Sequence, residues 1–253
     1  MTEHLLVERR GARLALTMNR PERRNAITVA MYAALADAIA AAAADESVRV
    51  ITLEGAGEDF TAGNDLGDFM NELPQDGSDI PVWRLLRALA VNPVPLVAAV
   101  HGNAVGIGTT MLFHCDLVVA EDGSRFHMPF VDLGLVPEAA SSLLFPRLAG
   151  RRAAARHLLL GEAFGVVEAE RYGLVSHSAA KGELGATLEA VVAALLAKPA
   201  EALRLTQALL RGRDQADVLA RMELENRHFS ERLTSDGVKG AIQAFFAARA
   251  SRA

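Results

Sequence analysis

Two glycine-bearing stretches carry the residue types and spacing best suited to chemistry. The first is Phe60-Thr61-Ala62-Gly63-Asn64-Asp65-Leu66, and the second is Gly102-Asn103-Ala104-Val105-Gly106-Ile107-Gly108. Each follows an apolar, strand-like run, Val48 to Leu53 and Pro95 to Val100, and each leads into a segment that reads as a helix. A glycine at such a place lets the backbone turn sharply and approach a ligand. A helix start leaves backbone N–H groups without internal partners. Two such starts aimed at one point hold a developing negative charge on oxygen. The chemistry implied is oxyanion stabilisation by backbone rather than by side chains.

The elements that must position these turns alternate between strand and helix. Leu5 to Glu8 and Arg13 to Met18 read as a hairpin around Gly11. Thr28 caps an alanine-rich helix running to about Ala44. The strand Val48 to Glu54 leads into the first turn, and Asn71 to Ser78 reads as a loop. Ile80 to Ala90 reads as a helix closed by Asn92-Pro93. The strand Leu96 to Val100, the second turn, a short helix and the strand Leu117 to Ala120 follow, an α/β pattern. From about Glu183 the periodicity is helical only: Glu183 to Ala197, Ala200 to Leu210, Ala216 to Leu233 and Val238 to Arg249. The wide apolar faces of these helices either pack on the main domain or form an oligomer interface, and the interface is the expectation.

Composition narrows the classes. A chain of 253 residues suits one large domain, or one domain with an appendage. A net charge of −5 gives no reason to expect nucleic acid as a partner. The single cysteine, Cys115, excludes an internal disulfide and fits a reducing, cytoplasmic compartment. Residues Met1 to Arg10 read as neither signal peptide nor membrane anchor, so no membrane partner is expected. Ser251-Arg252-Ala253 reads as a plain tail.

Four segments in order resemble the crotonase family, also called the enoyl-CoA hydratase/isomerase family. They are Met18-Asn19-Arg20-Pro21-Glu22-Arg23-Arg24-Asn25-Ala26; Phe60 to Leu66; Ala98 to Gly108 with Cys115 to Ala120; and Asp236 to Gly240 with Ala244-Phe245-Phe246. The resemblance implies an α/β fold, a spiral of ββα units over residues 1–182. It also implies a C-terminal helical trimerisation region over 183–253, hence a homotrimer or a hexamer. The substrate it implies is a coenzyme A thioester, with no further cofactor and no metal. By alignment the oxyanion N–H groups are those of Asn64 and Ile107. Arg23, Arg24, Ala26, Ala62, Gly63, Asn64, Asp65 and Leu66 would line the coenzyme A.

The reaction depends on the acids and bases. Hydratases of this family use two glutamates, and their positions map onto Thr110 and Phe130, neither of which is a carboxylate. Glu138 remains, after Pro137. Taken by itself it reads as a first-turn glutamate that complements a helix dipole. In context its position, with Asn64 in the first turn, resembles peroxisomal-type Δ3,Δ2-enoyl-CoA isomerases, where this glutamate is the lone catalytic base. The resemblance therefore implies a double-bond shift in fatty acyl-CoA β-oxidation. A hydratase, another crotonase-type reaction, or a CoA-ester-binding protein without turnover are the alternatives. Burial beside Phe130 would raise the Glu138 pKa, while a helix start would lower it. Asp65 reads as a brace for its turn, His101 as a core histidine and Thr110 as a packing or helix-capping residue. His114, Cys115 and His127 lack metal-site spacing. The loop 71–78 and the helix with Trp83 are placed beside the acyl pocket by position.

Overall fold

In a computed structural model, residues 2–65, 67–68, 80–212, 214–233, 235, 237–238 and 240 are described. The expected loop 71–78, Leu66, and most of the expected helix from Val238 to Arg249 lie outside the described residues.

The chain opens with the hairpin β1 (Leu5–Arg10) and β2 (Arg13–Met18), with Gly11 at φ 61° in the turn between them. Helix α1 (Val29–Ala44) starts where Thr28 accepts from the Met31 N–H at 3.2 Å, as its sequence predicts. Then come β3 (Val50–Gly55), α2 (Pro81–Val91) and β4 (Leu96–Val100). These follow the sequence-derived limits to within two residues at each end, the ordinary scatter at element ends. β5 (Asn103–Val105), α3 (Ile107–Thr110), β6 (Leu117–Glu121) and β7 (Arg125–His127) continue the pattern. Helices α4 (Ser141–Ala149) and α5 (Arg151–Leu159), strand β8 (Phe164–Gly165), α6 (Val166–Tyr172) and β9 (His177–Ala179) follow. Sequence periodicity missed these, because the strands are too short and the helices too mixed in polarity to show a period. The described chain ends in helices α7 (Leu184–Leu196), α8 (Ala200–Gly212) and α9 (Gln215–Leu233).

The strands form two sheets. One is ordered β1-β2-β3-β4-β6-β9, antiparallel at β1/β2 and parallel elsewhere. The other is β5-β7-β8. The chain passes from β4 to β5 and then into α3, and from β6 to β7 and then toward α4. Each pass places one strand in each sheet before a helix, the expected ββα spiral. A bridge between Thr61 and Ala104, and another between Ile27 and Asn64, carry the second layer back across the first turn.

Strand alternation decides which layer each residue feeds. Leu96, Ala98 and Val100 face the main core. Val97 and Ala99, with Val50 and Val119, face Leu188, Val191 and Val192 of α7 instead. So α7 closes one face of the larger sheet, and burial on both faces explains its nearly unbroken apolar strands. Helix α8 is tied down by polar contacts. The Arg211 guanidinium bonds both carboxylate oxygens of Asp116 at 3.1 Å and the carbonyls of Leu89, Asn92 and His114 at 3.0, 3.0 and 2.7 Å. Gln207 donates to Asp116 at 3.0 Å, and Asp116 in turn accepts from the Leu96 N–H at 2.8 Å. Removing Arg211 takes the counter-charge from Asp116 and a donor from three carbonyls. Arg211→Ala is expected to lower stability by about 3 kcal/mol, read as a lower urea midpoint at unchanged slope.

Candidate active site

The first turn is built on a polar frame. Asn25, fully buried at φ 54°, accepts from the Arg20 N–H at 2.8 Å and donates to the carbonyls of Ala56 and Asp59, each at 2.7 Å. Its own carbonyl accepts from the Thr61 hydroxyl at 2.6 Å. Asp59 reaches the second turn, accepting from the Asn103 N–H at 2.8 Å and its amide side chain at 2.6 Å. Asp65 pairs with Arg20 at 2.5 Å and accepts from the Gly67 and Asp68 N–H groups, so it braces its own turn.

The two turns then meet backbone to backbone. The Thr61 N–H donates to the Asn103 carbonyl and the Val105 N–H to the Thr61 carbonyl, both at 3.0 Å. Gly63, at φ 88°, lies so close that a β-carbon there would sit 2.7 Å from the Val105 carbonyl oxygen. A β-carbon on Gly108 would sit 2.4 Å from the Thr61 methyl. Two glycines are what let the turns touch. In the Ile27–Asn64 bridge the bonds run from the Ile27 N–H to the Gly63 carbonyl and from the Asp65 N–H to the Ile27 carbonyl. That pattern leaves the Asn64 N–H pointing away from Ile27, with no backbone partner among the described residues. Ile107 is the first residue of α3, so helix geometry gives its N–H no internal acceptor. Gly106, just before it, is turned back onto the His127 carbonyl at 2.8 Å.

The segments expected to line coenzyme A also converge. The Ala62 N–H donates to the Arg24 carbonyl at 2.8 Å, and Arg20 bridges the Ala26 carbonyl to Asp65. Arg23 and Arg24 have exposed side chains on this rim, and Ala26 is half-buried.

Glu138 differs from its sequence reading. Helix α4 starts at Ser141, so Glu138 precedes it and is not a first-turn residue. Ala139 and Ala140 between them are both left-handed, at φ 59° and 55°. The glutamate at the α4 N-terminus is instead Glu225 of α9, which accepts from the Ala140 N–H at 2.6 Å and the Ser142 N–H at 2.9 Å. Glu138 is 1% exposed, and its Oε1 has no partner among the described residues. With no helix start to oppose it, burial wins, and together with the nearby Glu225 charge it pushes the Glu138 pKa up to about 8.

Tyr32, buried on α1, links Glu138 and the first turn. Its hydroxyl donates to the Asn64 side-chain carbonyl, and burial with the Glu138 charge raises its pKa well above the usual tyrosine value. His114 donates from Nε2 to the Ala139 carbonyl at 2.8 Å, and burial holds it neutral with a pKa of about 4. Tyr32 and Glu225 gave no motif signal. They lie far from the turns in sequence, and only the fold carries them there.

Other residues read from sequence fall elsewhere. Thr110 is fully buried, but its hydroxyl caps nothing and has no partner among the described residues. Phe130 is buried as expected. His101 is half-buried rather than in the core, with Nε2 on the Gly57 carbonyl at 2.9 Å. The Cys115 thiol is pushed up by burial and the neighbouring Asp116 charge. Trp83 meets Phe229 of α9 edge-on at 6.1 Å. No described helix is long and apolar enough to cross a membrane.

A family model described as "Enoyl-CoA hydratase/isomerase" matches residues 8–252. The chain belongs to that family. Among solved structures, this crotonase-family chain is similar to an enoyl-CoA hydratase/isomerase from Pseudoalteromonas atlantica T6c, with a TM-score of 0.92, 38% identity and 97% of each chain covered. The chain has the crotonase fold. It is 33% identical over 247 residues to enoyl-CoA delta isomerase 2 of Rattus norvegicus, covering 95% of this chain and 63% of that relative's length. It is also 36% identical over 173 residues, 68% of each chain, to 2,3-dehydroadipyl-CoA hydratase of Escherichia coli.

The buried Glu138 carboxyl has a signature in stability. Glu138 holds its proton in the folded state up to about pH 8 but releases it near 4.5 when unfolded, so it lowers stability as pH rises through that window. Glu225, also raised by burial, acts in the same direction. His114 acts oppositely: folding depresses its pKa from 6.5 to about 4, so its contribution rises with pH across that interval. The two offset one another between 4.5 and 6.5, and above 6.5 only the decline remains. The wild type is expected to lose about 2 kcal/mol between pH 6.5 and 8 through Glu138. Glu138→Gln is expected to remove that loss, measured by urea unfolding at each pH.

Proposed function

We propose that this chain moves the double bond of a 3-enoyl-CoA to C2, with Glu138 as the single base. The observation that carries the reading is a buried carboxylate, pKa about 8, with one oxygen free of protein partners among the described residues. Thr110 and Phe130 stand where hydratases carry their two glutamates. Glu138 takes a proton from C2; the C2–H electrons form a C1=C2 bond as the carbonyl π pair moves onto the thioester oxygen, in conjugation with the C3=C4 double bond. The resulting dienolate is held by the N–H groups of Asn64 and Ile107. The same carboxyl returns the proton at C4 as the C2=C3 bond forms. One group suffices because C2 and C4 flank the same allylic system. Each backbone donor is worth roughly 3–4 kcal/mol of barrier. A pKa near the working pH suits a group that must accept and then release one proton.

Arg23 and Arg24 serve the coenzyme A phosphates in this reading, where an arginine fork matches phosphate geometry. Hydratase-named relatives favour a second reading, hydration of a 2-enoyl-CoA; product mass separates the two, since only hydration adds water. The expected result is isomerase activity on a 3-enoyl-CoA, with kcat/KM rising as pH passes about 8. Glu138→Gln should lower kcat by roughly 10²–10⁴-fold at retained fold. Equal rates in wild type and variant would remove Glu138 from the base role.

Residues 183–253 are proposed as the region that builds the homotrimer or hexamer, apart from the 1–182 spiral. Leu205, Leu209 and Leu210 on α8 are exposed in the single chain, at 51%, 81% and 75%. Sedimentation equilibrium should show a trimer or hexamer for the wild type. Leu209→Glu with Leu210→Glu should shift the protein to a lower mass.

A further inference from the structure

We propose that Glu225, on the C-terminal helix α9, is the positioning residue of the base: its carboxylate clamps the left-handed pair that aims Glu138, and its charge strengthens that base. The inference rests on Glu138 being the base.

The segment after Glu138 needs outside support. Two consecutive alanines in the left-handed region are strained, since a β-carbon crowds the following carbonyl there. No local side chain caps α4: the N-cap residue is Ala140, and the Ser141 hydroxyl is spent on the Glu138 carbonyl at 2.6 Å. The Ala140 and Ser142 N–H groups therefore need an acceptor from elsewhere, and Glu225 supplies one oxygen to each. Charge-assisted bonds of this kind are short and strong. Arg221, one turn earlier on α9, adds a bond to the Ser142 hydroxyl at 3.1 Å. On the other side His114 holds the Ala139 carbonyl. The peptide that carries the base is thus gripped from two separate elements.

The electrostatics follow from the same contacts. Among the described residues, the groups facing Glu138 and its peptide are Tyr32 from α1, His114 before β6, and Glu225 with Arg221 from α9. Tyr32 and His114 are neutral near pH 7, by the directions of their shifts. The charge facing the base therefore comes from α9. Two N–H groups bonded to the Glu225 oxygens favour its ionised form against the burial that opposes it. A fixed negative charge beside a buried carboxyl makes that carboxyl hold its proton more strongly.

The test uses the intact oligomer and a 3-enoyl-CoA, with Glu138→Gln as the reference for the base itself. Glu225→Gln should leave KM within about twofold and move the acid limb of the kcat–pH profile down by about one unit. An infrared titration of the Glu138 carboxyl, taken as wild type minus Glu138→Gln and repeated in the Glu225→Gln background, should move by the same amount without substrate. Glu225→Asp keeps the charge and shortens the reach. It should hold the acid limb in place while kcat falls roughly tenfold. An unmoved limb and an unmoved infrared titration in Glu225→Gln would overturn the charge role. Wild-type kcat in Glu225→Asp would overturn the clamp, and it decides the matter if Glu225→Gln does not fold. Activity surviving in Glu138→Gln is a separate outcome, which overturns the base reading.

Discussion

Everything at the candidate site depends on one close approach, the backbone contact between the Gly63 turn and the Val105–Gly108 turn. A single added β-carbon on either Gly63 or Gly108 would overlap the facing turn. At Gly63 the contact is unforgiving because the facing atom is the Val105 main-chain carbonyl oxygen, which cannot rotate out of the way as a side chain can. The rest of the molecule fixes the two turns at that distance. β3 and β4 are hydrogen-bonded neighbours in one sheet, so the turns that leave them emerge side by side. Asn25 and Asp59 then tie down the chain between them with buried hydrogen bonds. A polar group buried with its partners satisfied specifies one arrangement, since any other strands donors and acceptors away from water.

The second dependence is dielectric. The Glu138 pKa is raised because the side chain is enclosed, and groups around it and its peptide come from distant parts of the chain: Tyr32 on α1, His114 before β6, and Glu225 on α9. An exposed glutamate in the same loop would stay ionised with an ordinary pKa and a hydration shell to shed before each proton transfer. The helices that follow residue 183 are therefore more than an appendage. One of them, α9, carries a carboxylate into contact with the peptide behind Glu138.

Much of this was legible in the residues, and the division follows sequence distance. The Gly11 hairpin, the Thr28 cap and the strand Leu96–Val100 each depend on a few neighbours, and pattern found them. The glycine turns were visible for the same reason. The setting of Glu138 was misread as the first turn of a helix. Proline before glutamate is a common helix opening, and nothing local announces that two left-handed alanines intervene. Glu225 was invisible, because on a 19-residue helix rich in charge it looks like one more solvated carboxylate. Its partner N–H groups lie more than eighty positions away, at Ala140 and Ser142.

The left-handed alanines set stability and function against each other. Glycine at either position would relieve the strain, and a neutral residue at 138 would remove the stability lost as pH rises toward 8, so both changes lie on easy routes to a hardier fold. Each would also slacken or remove the group that the surrounding packing is arranged to hold. A selection that rewarded only heat resistance would erode this peptide first.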